Sequence, residues 1–243
     1  MRLIYGRTKP IKGAKINWSH PLSKKLVACW IMNEGVGTRI YDLSGNGNTG
    51  TFTNMSDPPT TTSGWNPGKF GRTLMFDGSD DYVNCGNNAV LNPGLSDFSL
   101  AAWIKTPSAG AGYPRIVDKV FGSAYCFHII PAGQLGLAIY GIYQGSRSGS
   151  KYLFDNQWHF VAVSAKRNGL ARYYVDGVDD GNPYDISSVK SSNLKNSYNL
   201  QIGLWSGDKF KGLIDGVYIW NRALSDNEVL QLYKEPFAMF YKR

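Results

Sequence analysis

Apolar and polar positions alternate with period two through most of this chain, in short runs cut by Gly, Asn, Asp and Pro. Phe98–Lys105 (FSLAAWIK) shows the alternation most cleanly. Leu26–Met32, Ile40–Leu43, Thr73–Phe76, Tyr82–Cys85, Arg115–Val120, Tyr125–Ile130, Leu135–Tyr140, His159–Lys166, Arg172–Val175 and Leu200–Trp205 read as further strands. Asn168-Gly169 and Asp176-Gly177 are hairpin turns. Ser56–Gly68 (SDPPTTTSGWNPG) predicts a surface loop, which would place Trp65 outside the core. Trp30, Trp103, Trp158 and Trp220 fall in predicted strands and are expected in the core. The stretch Lys209–Tyr233 changes period midway. Leu213, Val217 and Ile219 are spaced for a strand with one buried face. Ser225 and Glu228 then form a capping box, Asp226 sits in the first turn, and Val229, Leu230, Leu232 and Tyr233 give a helix one apolar side before Pro236. About a dozen short strands and one short helix predict an all-β fold, a two-sheet antiparallel β-sandwich closed by a C-terminal helix. Residues 1–20 are basic and poor in core pattern. They read as an N-terminal arm, with the sandwich over 21–243.

Composition sharpens this picture. With 243 residues, 28 Gly, 14% aromatic and 18% charged residues, the chain suits one strand-rich domain large enough to bury a core without disulfides or metals. The net charge of +8 favours anionic surfaces, but no basic run is interleaved with aromatics, so sequence-specific nucleic-acid binding is not expected. Cys29, Cys85 and Cys126 make neither a disulfide framework nor a zinc pattern. One Cys29–Cys85 bridge is conceivable, buried free thiols more so. No segment reads as a signal peptide or membrane span, which leaves no membrane partner and points to a virion surface, or to the extracellular space after release.

Four pieces carry a family resemblance. Gly212–Val229 has the pattern G-x-I-D-x-V-x-I-W-N-R-A-L-S-x-x-E-V, and Trp30–Phe52, Lys69–Gly86 and Asn156–Val178 precede it in order. Together they resemble laminin G-like jelly rolls of the concanavalin A-like lectin/glucanase superfamily. The resemblance implies a jelly-roll sandwich; function follows from the site, not the fold. The opening NWSHPLSKKLVACWIMNEG also resembles standalone domains found with phage structural genes. That implies a decoration or tail-type protein whose arm meets a capsid or virion lattice, and which could form a homo-oligomer.

Three chemistries are candidates. Asp42, Asn46 and Asn48 lie in a tight glycine-bearing loop offering the oxygen ligands that calcium takes, about six to eight in number. The resemblance adds Asp215 as partner of Asp42 in a structural calcium site. The turn Asp77–Asp81 could make a second site, and both sets could equally be Asx-turn formers. Glycoside hydrolysis needs two carboxyls about 5–5.5 Å apart or wider. Glu34, Glu228 and Glu235 sit at a turn and around the helix, so a hydrolase, or any enzyme, is not expected. Cys126 and His128 share one face of a strand, without an elbow or oxyanion loop that would make them a nucleophilic pair. Tyr140, Tyr143, Arg147, Trp205 and Asp208 combine aromatic platforms with hydrogen-bonding groups. Gly112–Arg115 and Phe121 are placed to line the same rim. The reading is a non-enzymatic module that binds a glycan or surface polymer. The alternative is a structural virion subunit making protein–protein contacts.

Overall fold

The computed structural model describes residues 8–108, 112–119, 124–139 and 151–241. In chain order the strands are β1 (Leu26–Trp30), β2 (Arg39–Ile40), β3 (Gly50–Thr53), β4 (Gly64–Gly68), β5 (Gly71–Asp77) and β6 (Tyr82–Asn84). The middle of the chain supplies β7 (Phe98–Lys105), β8 (Arg115–Asp118), β9 (Tyr125–Ile129), β10 (Leu135–Ile139), β11 (His159–Ala165) and β12 (Leu170–Val175). There follow β13 (Val178–Asp179), β14 (Tyr184–Asp185), β15 (Gln201–Ile202), β16 (Leu204–Trp205), β17 (Asp208–Lys209), β18 (Lys211–Trp220) and helix α1 (Asp226–Lys234). A nine-stranded antiparallel sheet runs β13-β12-β11-β7-β18-β5-β4, with β1 added on β18 and β14 on β12. A seven-stranded sheet runs β10-β9-β8-β15-β6-β3-β2, and β16–β17 is a separate hairpin.

The main core lies between the sheets. Phe76, Leu100, Ile104, Val161, Val163, Ile214, Val217 and Ile219 from the larger sheet meet Val83, Val117, Phe127, Ile129, Leu137 and Ile202 from the smaller. A second apolar cluster covers the outer face of the larger sheet. There Ala101, Trp103, Phe160, Tyr218 and Trp220 pack under Ile16, Leu22, Val229, Leu232, Phe237 and Phe240. The capping box forms as the sequence predicts: Ser225 Oγ accepts the Glu228 N–H and Glu228 Oε2 accepts the Ser225 N–H.

Three expectations change. The Gly64–Gly68 end of the supposed loop is an edge strand paired with β5, and Trp65 is core, 2% exposed, tilted 5.6 Å from Phe52 and donating to Gly37 O at 2.7 Å. Pro67 disguises this strand, because Pro is tolerated only at a sheet edge. Period two does not persist through β18. A bulge between Asp215 and Tyr218, with Gly216 at φ +53°, turns Ile214 inward while Leu213 faces out beside Met75 and Lys105. Finally, the described part of the N-terminal stretch is not a free arm. Ile16 bridges to Phe240, Asn17 N–H donates to Met239 O, and Tyr241 N–H to Lys15 O.

Lys9 closes this seam. Its ammonium lies 2.6 Å from Asp215 Oδ1 and 3.2 Å from Met32 O, and also bonds Arg72 O. Both side chains are buried, and burial pushes the Asp215 carboxyl up and the Lys9 ammonium down despite their attraction. Removing one member strands the other's charge. Lys9→Met or Asp215→Asn should each lower stability by about 3–5 kcal/mol in urea titration, while the double variant should cost less than their sum. Additive losses would mean that the two groups are not coupled.

Candidate functional site

The sequence places Gly112–Arg115 and Trp205–Asp208 on a common rim, and the structure joins them there. Hairpin β16–β17 pairs Trp205 with Asp208 and lies against β8. Asp208 Oδ1 accepts the Tyr113 N–H at 2.9 Å, and its Oδ2 pairs with the buried Arg115 guanidinium. Only glycine fits at 112, where a Cβ would run into the Asp208 carboxylate. Asp208 is thus a buckle between loop and hairpin, with both oxygens engaged by protein. Tyr113 and Trp205, one on each arm of that buckle, are half-buried. Tyr113 meets the His128 ring edge-on at 5.5 Å. Tyr140, Tyr143, Arg147 and Phe121 lie outside the described residues.

Beneath the rim lies the Cys126–His128 pair, with Sγ 3.5 Å from Nδ1. Arg115 donates to Cys126 Sγ at 2.7 Å and stands 3.7 Å from Asp118. Burial raises the Cys126 thiol well above its usual range, and the Asp118 charge adds to this. Burial, helped by the Arg115 charge, pulls His128 down to about 3. Both are therefore neutral near pH 7, an arrangement for packing and not for a thiolate–imidazolium couple. His159, from the other sheet, is held between Asp176 at 2.9 Å and Asp155 at 3.1 Å. Burial lowers its pKa, but these two carboxylates outweigh burial and raise it.

Of the four residues assigned to calcium, Asp42 and Asp215 are already engaged by protein groups. Asp42 Oδ1 accepts N–H bonds from Cys29 and Ser44, both at 2.9 Å. Its Oδ2 accepts from the Ser44 hydroxyl, the Asn48 N–H and Asn48 Nδ2. Asn46 and Asn48 also donate to Val27 O. Asp215 is engaged with Lys9, whose ammonium already supplies the positive charge that a cation would bring. The loop thus acts as a hydrogen-bonded brace between β1 and the residues after β2.

The second acidic turn differs. Ligand atoms of Asp77, Asp80 and Asp81 all lie within 4.8 Å of one another, a group that could hold a metal. Asp81 is 3% exposed. Its Oδ2 takes the Asp77 N–H at 3.0 Å, and its Oδ1 is buried with no donor at hydrogen-bond geometry among the described residues, although the Ser63 hydroxyl is close enough to favour the carboxylate. Burial, reinforced by the charges of Asp77 and Asp80, raises Asp81 to about 6. Nothing in the residue types separated this turn from the Asp42 loop. The difference lies in which carboxylates the surrounding backbone satisfies.

Among the described residues no helix is long and apolar enough to cross a membrane. Residues 77–230 match the laminin G family profile described as the concanavalin A-like lectin/glucanases superfamily. No curated protein matches the sequence. Among solved structures, the binding domain of Paraclostridial Mosquitocidal Protein 1 is similar at 18% identity and TM-score 0.64, covering 87% of this chain and 52% of that one. Domain 4 of AbnA, a GH43 extracellular arabinanase from Geobacillus stearothermophilus in complex with arabinotriose, is similar at 20% identity and TM-score 0.63, covering 86% and 98%. Trypanosoma rangeli sialidase gives 16% identity and TM-score 0.61, covering 87% of this chain and 33% of that chain. The chain thus spans about half of the mosquitocidal structure and a third of the sialidase, and nearly all of the arabinanase domain. At these identities the likeness is one of fold.

All three cysteines are free and buried, and burial raises each thiol. Native protein at pH 7.5 should show no fast-reacting thiol toward Ellman's reagent, and three after unfolding in urea. A rapid native reaction at Cys126 would contradict the buried geometry.

Proposed function

Because this chain belongs to the concanavalin A-like lectin/glucanases superfamily, we propose that it is a non-enzymatic module that binds saccharide on a particle or cell surface. The observation that carries this reading is the buckled rim, where the Arg115–Asp208 pair holds Tyr113 and Trp205 on adjoining segments. Aromatic faces pack against the C–H face of a sugar ring, while polar groups beside them take its hydroxyls. The arabinotriose complex of the Geobacillus domain supports the reading by analogy of fold. Glu228 is not a free carboxyl for hydrolysis, since Arg222 holds it at 2.7 Å and so does its capping box.

A virion decoration or tail-type role is the second reading. Exposed Ile11, Trp18 and Tyr241 near the terminal seam favour it, as side chains that a neighbouring subunit would cover. The same seam, with residues 1–7, would then be the contact. A glycan array followed by calorimetry tests the first reading. Trp205→Ala and Tyr143→Ala should each weaken the captured glycan by about tenfold or more. No captured glycan, together with an oligomer that falls to monomer when the terminal seam is altered, would transfer function to assembly.

Any bound calcium is proposed to be structural and to sit at Asp77, Asp80 and Asp81, since hard cations take carboxylate oxygens. The Asp81 carboxyl titrates near 6 in the fold and near its ordinary 3.8 when unfolded. The folded state therefore binds more protons between those values, and this group's contribution to stability falls as pH rises through that window. A cation relieves that penalty only where Asp81 is ionised. Calcium should raise Tm at pH 7.5 and much less at pH 5, and Asp81→Asn should abolish the effect. Equal shifts at both pH values would refute the assignment.

A further inference from the structure

Among the described residues, residues 14–22, α1 and residues 237–240 cover the outer face of the nine-stranded sheet at one end only. Beyond Trp103 and Asp215 the same face continues through the cross-strand row Met75–Leu213–Lys105, followed by Asp77 opposite Lys211. Here the covering stops, and a cavity of about 280 Å³ opens. Met75, Leu213 and Pro107 give it apolar surface; Thr61, Thr62 and Asn156 border it. Lys105 and Lys211 are the cations of its lining, and neither ammonium has an ion pair or hydrogen bond among the described residues. The Lys211 stem is held against Gly78, where a Cβ would come within 2.8 Å of it. Asp77 contributes the one acid, with Oδ1 accepting the N–H groups of Ser79 and Asp80, so the wall carries a net positive charge.

We infer that this cavity is a second saccharide site, distinct from the rim, and that it takes a carboxylated sugar ring, a uronate-type residue of an acidic polysaccharide. The chemistry matches part by part. A pyranose ring has an apolar C–H face for Met75, Leu213 and Pro107. Its carboxylate meets two ammonium groups that make no ion pair among the described residues. Its hydroxyls meet the Thr61 and Thr62 hydroxyls and the Asn156 amide. The volume, about 280 Å³, lies just below the range for drug-sized ligand sites, about 300–1,000 Å³, and suits a ligand as small as one ring with part of a neighbour. The net charge of +8 draws a polyanion to the domain before either site engages. A neutral sugar or an apolar ligand would leave both ammonium groups unmatched.

The site shares with the rim only the premise that the domain binds saccharides, and the two are separable in one experiment. Calorimetry with trigalacturonate, its fully methyl-esterified form and neutral arabinotriose would be run on the intact protein at fixed salt. The acid should bind, and the ester should bind at least about tenfold more weakly, because esterification removes the charge-assisted contacts. Lys105→Gln and Lys211→Gln should each weaken the acid by about tenfold and leave arabinotriose unaffected, whereas Trp205→Ala should leave the acid unaffected. Both lysines are at the surface rim of the cavity, so an unchanged thermal melt will show that the variants fold. Leu213→Arg, which fills the floor, provides a steric counterpart and should abolish uronate binding. Acid and ester binding alike, no acid binding, or acid binding indifferent to both lysines would overturn the assignment. Loss on Trp205→Ala instead would place the acid at the rim.

Discussion

The ten residues of β18 have to serve two neighbours on one edge. Along its other edge β18 follows β7 from Leu213 to Trp220, but on this edge it pairs with β5 through Lys211–Ile214 and with β1 through Val217–Trp220. Where the partner changes, the ladder to β7 carries a bulge at Asp215–Gly216, with Gly216 in the left-handed region. The bulge resets which side chains face inward. Ile214, Val217 and Ile219 enter the core between the sheets, while Tyr218 and Trp220 enter the outer cluster. It also leaves Asp215 buried, and the fold answers with Lys9 from the far end of the sequence. An ion pair at this depth contributes little net stability compared with an apolar contact, yet losing half of it is costly. It therefore fixes where the N-terminal segment lies more than how stable the domain is.

That placement determines what the outer face can do. Residues 14–22, α1 and residues 237–240 cover the half of the sheet that β1 extends, stacking Trp103 on Tyr233 at 5.6 Å and bonding Trp220 Nε1 to Leu22 O at 2.7 Å. Among the described residues, this cover reaches β5 only at its start, where Lys9 bonds Arg72 O, and leaves the Met75–Asp77 end open. A sheet face that begins as a second core thus ends as an open cavity with a charged margin. The division falls where the bulge is, because the partner switch and the end of the cover share the same residues.

Much of this was legible from local pattern. Phe98–Lys105 is a strand at the bounds its alternation gives, and Ser225–Glu228 is the capping box that its spacing demands, because both signals lie within a few residues. Segments whose state is decided from afar were not legible. Gly64–Gly68 carries Gly and Pro and reads as a loop until β5 supplies its hydrogen bonds and Phe52 and Gly37 receive Trp65. Lys9 and Asp215 stand 206 residues apart, and nothing near either of them announces the other. The Asp42 loop is rich in oxygen ligands. What decides its role is that Cys29 and Val27 of β1 bring a donor and an acceptor to it. The rim was legible as a set of residue types, and the contact between Tyr113 and Asp208 brings two of its pieces together.

The way the acids are used bears on what the surface presents. Asp42 and Asp215 are turned inward onto backbone and a buried lysine, Asp208 is tied to Arg115, Asp155 and Asp176 grip His159, and Glu228 holds Arg222. Of these carboxylates, Asp176 alone also reaches a surface lysine among the described residues, Lys151 at 4.0 Å. The excess of eight positive charges is therefore expressed mainly at the surface. Such a field attracts polyanions in general, and it is screened within about 8 Å at physiological ionic strength. Discrimination between one acidic polymer and another must then come from contacts shorter than that length. Those contacts belong to concave places where an ammonium and an apolar wall face the same ligand, and there shape and charge act together.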